Sequence, residues 1–203
     1  MVDFGFRNCP NRNPKFTIQI VCLPSSHAFA AAARGSGLEP SSGSTAKLLM
    51  LGMGSAMLPD ADVLAFAMGI PYADMFGHRG FTHSLPFAVV WGLLLAALAY
   101  RKSIGSKGWG LIALYLIAAT ASHGILDAFT SGGMGVAFFA PWEEKRYFAP
   151  DLWRKIRVSP IGASRFFSAR GWATFKSELL WVWLPSVCWM ITVWFFKRKK
   201  GKA

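Results

Sequence analysis

The sequence predicts an all-α fold, a polytopic membrane helical bundle with about four membrane-embedded helical segments. Three observations carry this. The chain is 53% hydrophobic with 16% charged residues and a mean hydropathy of +0.35, too apolar for an ordinary soluble domain. Several of its apolar runs approach the ~20 residues that cross a bilayer as a helix. Its 9 Trp and 17 Phe suit interfacial belts and lipid-facing packing.

The elements follow in order. Residues 1–24 form a poorly defined N-terminal extension, in which Phe16 to Leu23 is too short to span. The run at Ala30-Ala31-Ala32 imitates a signal-peptide cleavage site, although cleavage there would discard His27. Residues 35–45, rich in Gly and Ser, read as a loop. The core, residues 25–150, holds three apolar stretches. Ala46 to Ile70 is interrupted by Pro59-Asp60-Ala61-Asp62, so it reads as a helix ending at Leu58 and a shallower one after Asp62. Its Gly52, Gly54, Ser55 and Ala56 suggest close packing against a neighbour. Leu85 to Tyr100 is a short helix with Ser84 as N-cap and Pro86 in its first turn. Gly108 to Phe129 is a full span. Residues 151–177 read as a basic loop, and 178–203 as a C-terminal transmembrane helix (Leu179 to Phe196) with a lysine-rich tail.

The formal charge of +12 could suggest nucleic acid. The basic residues, however, sit in loops beside apolar spans and in the tail. Attraction to anionic lipid headgroups, at about 1 kcal/mol per Lys or Arg, explains them more economically, so membrane lipids are the expected partners and no nucleic acid is expected. Cys9, Cys22 and Cys188 are far apart and lack C-x-x-C spacing, which argues against a zinc knuckle or a disulfide framework.

The short Arg101–Lys107 connection makes its two flanking helices an antiparallel pair. One begins at His78-Arg79-Gly80-Phe81-Thr82-His83-Ser84 and the other ends at His123-Gly124-Ile125-Leu126-Asp127, so both motifs lie on one membrane face. The positive-inside rule puts the Arg101, Lys102 and Lys107 loop and the tail in the cytoplasm and the motifs outside. The 131–177 segment carries eight basic residues of its own, which weighs the other way.

Ionisable groups at membrane depth usually line a site, and imidazole with carboxylate suits zinc and its neighbours. His123 and Asp127, four apart on one helical face, converge either on one ion or on each other as helix glue. His78 and His83 are five apart, a spacing better served by a turn at Gly80 than by one helix face. Thr82 or Ser84 then caps the following helix. Asp60 and Asp62 place two carboxylates at a helix end between apolar flanks. Taken alone, His27 reads as readily as a cap. Arg79 and Arg146 are candidates for holding phosphate or stabilising developing negative charge, with a snorkelling interfacial residue as the alternative for Arg146. No spacing selects a base among Asp74, Glu143 and Glu144.

Together, L-P-D-A-D at 58–62, H-R-G-F-T-H-S at 78–84 and H-G-I-L-D-A-F-T-S-G-G at 123–133 resemble the YdjM-like family of inner-membrane metal-dependent hydrolases over about residues 25–150. The resemblance implies a multi-pass inner-membrane location and brings His27 into the ligand set. Val63 stands where such proteins often carry a further histidine. The His123-x-x-x-Asp127 spacing is also similar to an element of zinc-dependent phospholipase C, implying a metal-activated water that attacks a phosphoester. The expected ligands are His27, Asp60, Asp62, His78, His83, His123 and Asp127, holding one or two divalent ions, zinc foremost. The expected catalytic residues are Arg79, Asp60 and Arg146, and the expected substrate is a lipid-linked or membrane-adjacent phosphoester. A metal or proton transit site and a non-catalytic scaffold are the alternative classes. The wholly apolar Leu85–Tyr100 helix argues against a conduit.

Overall fold

The structure is a computed structural model that describes residues 45–157 and 168–200. His27 therefore lies outside the described residues. Among those described there is no β-strand, only isolated bridges at Thr130–Ile156 and Val136–Tyr147.

Helix α1 (Thr45–Met57) runs into a 3-10 turn at Leu58–Asp62 and then a short α2 (Val63–Ala67). Pro59 at the start of the turn has no N–H to continue the α-helical ladder, which is why the interruption falls where the sequence places it. α3 (Leu85–Ala99) starts from a 3-10 turn at Phe81–His83, and Ser84 Oγ accepts from Phe87 N–H at 3.1 Å as its cap. After a turn at Arg101–Ser103, α4 (Lys107–Ala128) begins under a similar cap, Ser106 Oγ accepting from Trp109 N–H.

α3 and α4 pack as the antiparallel pair that the short connection requires, with α1 against α4. Small residues permit this. A Cβ on Gly92 of α3 would lie 2.6 Å from the Ile117 backbone nitrogen, and one on Gly52 of α1 would enter the Tyr115 ring. Ala56 packs on Ala119, and Ser55 Oγ accepts from Trp91 Nε1 at 3.2 Å. Gly54 differs from the expectation for this series, because it has open space around it. The interior is built from Leu48, Ala96, Ile112, Tyr115 and Leu116. Large apolar side chains such as Val90, Leu94, Leu98, Leu111 and Leu114 face outward, the inverse of a soluble bundle.

The 151–177 segment is not wholly a loop. It contains a 3-10 turn at Asp151–Trp153 and helix α5 (Ala169–Glu178), capped by Ser168. A π-turn at Leu179–Trp183 joins α5 to α6 (Leu184–Lys200). Pro185 cannot donate to the carbonyl four residues back, and the wider turn falls just before it. Val182 packs there with Ile156, Leu126 and Phe129, which ties the C-terminal helix to the end of α4.

Two helices, Thr45–Ala65 and Lys107–Ala128, are long and apolar enough to cross a membrane. At 1.5 Å per residue the second is about 33 Å long, close to the ~30 Å hydrocarbon core. α3, with 15 residues, is shorter.

Gly92→Leu is expected to destabilise the protein by about 1–3 kcal/mol, the usual cost of overpacking. Gly110→Leu, at a position with open space, is expected to leave the thermal midpoint in detergent unchanged or raise it.

A candidate metal centre where three helices meet

Lys47 Nζ donates to Ala99 O at 2.7 Å, so the start of α1 and the end of α3 share one end of the bundle. The other end collects the end of α1, the start of α3 and the end of α4, and with them Asp60, Asp62, His78, His83, His123 and Asp127.

Local geometry delivers each group. The 3-10 turn carries Asp60 and Asp62 past the end of α1. Gly77 and Gly80 allow the 71–80 loop to fold on itself, since a Cβ at either would strike a backbone carbonyl at 2.1 Å. Arg79, between these two glycines, has φ of 63°, a strained left-handed conformation for a residue with a Cβ. The turn brings the His78 and His83 rings to 5.2 Å, edge to face. Gly124 completes the approach, because a Cβ there would lie 2.5 Å from the His83 carbonyl oxygen.

Four groups face one point. His123 Nε2 lies 3.1 Å from Asp60 Oδ1 and 3.7 Å from Asp127 Oδ2. His83 Nε2 lies 3.8 and 3.4 Å from the same two oxygens. All four ligand-capable atoms fall within 4.8 Å of one another. His83, His123 and Asp127 are buried, whereas the Asp60 side chain keeps 14% of its surface exposed and marks the mouth.

The remaining imidazole nitrogens are anchored outside this point. His123 Nδ1 pairs with Ala56 O at 2.8 Å. His83 Nδ1 lies 3.1 Å from Asp62 Oδ2, and Thr82 Oγ1 donates to that oxygen at 2.9 Å. Asp62 also pairs with His78 Nδ1 at 2.7 Å and accepts from Arg79 N–H at 3.2 Å. Asp62 and His78 thus stand one step out from the four-group point. Asp62, His78 and His83 form a second group with metal-capable atoms within 4.8 Å.

Both arginines point into the scaffold. Arg79 is fully buried; its guanidinium ion-pairs with Asp127 through Nε at 3.2 Å and donates to Thr130 Oγ1 and Gly132 O. Arg146 donates to three backbone carbonyls, of His78, Tyr72 and Asp74, and so closes the 71–80 loop instead of snorkelling. Asp74 caps its own turn at Phe76 N–H, and Glu143 accepts from Tyr147 O–H.

Electrostatics favour positive charge at the centre. Burial alone would lower the His83 pKa, but hydrogen bonds to Asp127, Asp60 and Asp62 outweigh it and carry the imidazole well above the ordinary histidine value. Three carboxylates against one ion-paired guanidinium, with neutral imidazoles, leave a charge of −2.

Some contributors escaped the sequence reading. Thr82, expected only as a cap, turns onto Asp62. Tyr72 stacks edge-on against His78 at 5.3 Å, and no spacing signals it. Thr130 binds Arg79, and Gly124 acts by lacking a side chain.

Fold and site together define a helical membrane protein whose His/Asp cluster could hold a metal ion. The chain belongs to the YdjM inner membrane protein family, which matches residues 23–200. It is 45% identical over 157 residues to "Inner membrane protein YbcI" of Escherichia coli (strain K12), covering 75% of this chain and 86% of that protein. No solved structure matches it. It is accordingly a multi-pass inner-membrane protein. These comparisons do not show the similarity to zinc-dependent phospholipase C expected from the H-x-x-x-D spacing.

Removing the Arg79 guanidinium leaves Asp127 buried without its cation. Arg79→Met should therefore destabilise by about 3–5 kcal/mol, while Arg146→Met, which frees only neutral carbonyls, should cost about 1–3 kcal/mol. Thermal unfolding of both variants in one detergent checks that order.

Proposed function

We propose that the chain is a membrane-bound, metal-dependent hydrolase whose Asp60, His83, His123 and Asp127 hold one divalent cation, zinc foremost, and whose substrate is a phosphoester of a lipid or membrane-adjacent molecule. One observation carries the metal assignment. A tetrahedral zinc with bonds of ~2.1 Å separates its ligands by about 3.4 Å, and the four His–Asp separations of 3.1, 3.4, 3.7 and 3.8 Å bracket that value. The charge of −2 matches a divalent ion. Both Nδ1 atoms have outer partners, a carboxylate for His83 and a carbonyl for His123, the arrangement that aims Nε2 inward at metal sites.

The second group is assigned to orientation. Its closest contact, His78 Nδ1 to Asp62 Oδ1 at 2.7 Å, is well short of the ~3.4 Å between neighbouring zinc ligands, and His83 turns Nε2 to the four-group point and leaves only Nδ1 for Asp62. Asp62 and His78 would then be outer-shell residues, one ion is favoured over two, and Arg79 positions Asp127 instead of meeting substrate.

A bound divalent cation would supply Lewis-acid polarisation of a phosphoryl oxygen and a more acidic water. The chain's own residues do the rest. Four protein ligands close a tetrahedron, whereas catalytic zinc keeps an open position. Asp60, the least buried of the four, would be the ligand that gives way to water at the mouth. Burial of the other three excludes bulk water from behind. The phosphoester class rests on the family resemblance and the H-x-x-x-D spacing. The membrane arrangement proposed with it embeds α1–α2, α3, α4 and the Leu179–Phe196 span, supported by the outward apolar faces of α3, α4 and α6.

Metal analysis of purified protein should find about one equivalent in wild type and essentially none in His83→Ala and His123→Ala, whereas Asp62→Asn should bind 10–100-fold more weakly at unchanged stoichiometry. Full metal in both histidine variants defeats the assignment. Chelator-sensitive cleavage of lipid and generic phosphodiesters tests the hydrolase part.

Protons compete with the cation for His83. Because its pKa is raised, the imidazole stays protonated at a pH where an ordinary histidine is already free. Metal affinity should therefore rise with pH through and above neutrality and fall steeply below it, as competition titrations with a chromogenic chelator would record.

A further inference from the structure

The segment 131–157 has properties that the metal centre does not use. Its largest side chains point outward, with Trp142 81%, Leu152 75% and Trp153 63% exposed. Exposed basic residues, Lys145, Lys155 and Arg157, lie among them together with exposed Glu143, Glu144 and Asp151, and with Arg146 and Arg154 the segment holds five basic residues against three acidic ones. A soluble surface rarely shows aromatic and basic residues interleaved this way, but a membrane interface does.

The segment is also fixed to the site. Ala137 N–H donates to Arg79 O, Leu85 N–H to Phe138 O, Ala149 N–H to Ala128 O and Ser131 N–H to Ile156 O. Arg146 adds its bond to His78 O. Each bond reaches the His78–Leu85 string, the end of α4, or another part of the segment itself. Its height is set by α4. With Lys107 at one boundary, Ala128 lies about 31 Å further along, at the level of the opposite headgroups.

From this we infer that residues 131–157 form a collar that docks on anionic phospholipid headgroups, seating the mouth at Asp60 in the headgroup layer so that a phosphoester substrate reaches it from the bilayer and not from bulk water. The last clause rests on the proposed hydrolase function; the docking itself does not. The occupant follows from the outward aromatic and apolar side chains at headgroup height and from the segment's net charge of +2, five basic residues less three acidic ones, which favours an anionic surface. The apolar side chains fill the acyl boundary, and the lysine and arginine heads sit at phosphate level, each such residue contributing about 1 kcal/mol near an anionic surface.

The test places an environment-sensitive dye at Trp142→Cys or, separately, Trp153→Cys. The background is Cys9→Ser, Cys22→Ser, Cys188→Ser full-length protein in nanodiscs. The expected result is quenching by headgroup-level lipid nitroxides with severalfold less iodide quenching than the dye on free cysteine. Shielding should deepen in anionic over zwitterionic lipid, and Lys145→Gln, Lys155→Gln and Arg157→Gln together should abolish that difference. Free access of iodide to both positions overturns the collar. Equal shielding in both lipids, or a difference that survives the triple variant, overturns the anionic assignment. Metal content measured on the same samples separates the two ideas. Shielded labels on metal-free protein would sink the hydrolase and keep the collar, and exposed labels on metal-loaded protein would do the reverse.

Discussion

Asp127 is buried at the last turn of α4, where the helix's free carbonyls already concentrate negative potential. The 3-10 turn at the end of α1 adds Asp60 and Asp62 to the same region. Three carboxylates beside two helix C-termini would be prohibitive without compensation. Arg79 supplies one positive charge and is held for it by Thr130 and Gly132, despite the strained backbone this requires. The histidines and a divalent cation are the natural balance for what remains. The three-helix arrangement makes sense as the means of bringing these groups to one point.

The membrane shapes this arrangement as well. With lipid outside, apolar side chains gain little by turning inward, so the helices pack through small residues at Gly52, Ala56 and Gly92. Close backbones then let His83 from the α3 turn meet His123 from α4, with Gly124 giving His83 room. Polar groups concentrate at one end of the bundle, which keeps the centre within reach of water at Asp60.

Much of this could be read in the chain beforehand. Pro59 marked the end of α1, Ser84 and Pro86 the start of α3, and the short 101–107 connection put both histidine motifs on one face. Roles within the cluster could not be read. Asp60 and Asp62 look alike in a D-x-D string, and only the 3-10 geometry separates one facing two imidazole Nε2 atoms from one collecting hydrogen bonds. Arg79 was legible as a cation but not as Asp127's partner, because the contact spans 48 residues and depends on a left-handed backbone. α5 was hidden by its composition, since Arg170 and Lys176 within ten residues read as a basic loop and the Ser168 cap that starts the helix is not distinctive in a Ser-containing stretch.

X-ray absorption at the zinc edge of the purified, zinc-loaded protein tests the central claim most directly. The account predicts a four-coordinate shell of nitrogen and oxygen at about 2.0–2.1 Å, with scattering from two imidazoles, and the loss of that bound-zinc spectrum altogether in His83→Ala or His123→Ala. A sulfur shell near ~2.3 Å, a shell without imidazole, or a spectrum unchanged by both substitutions would contradict it.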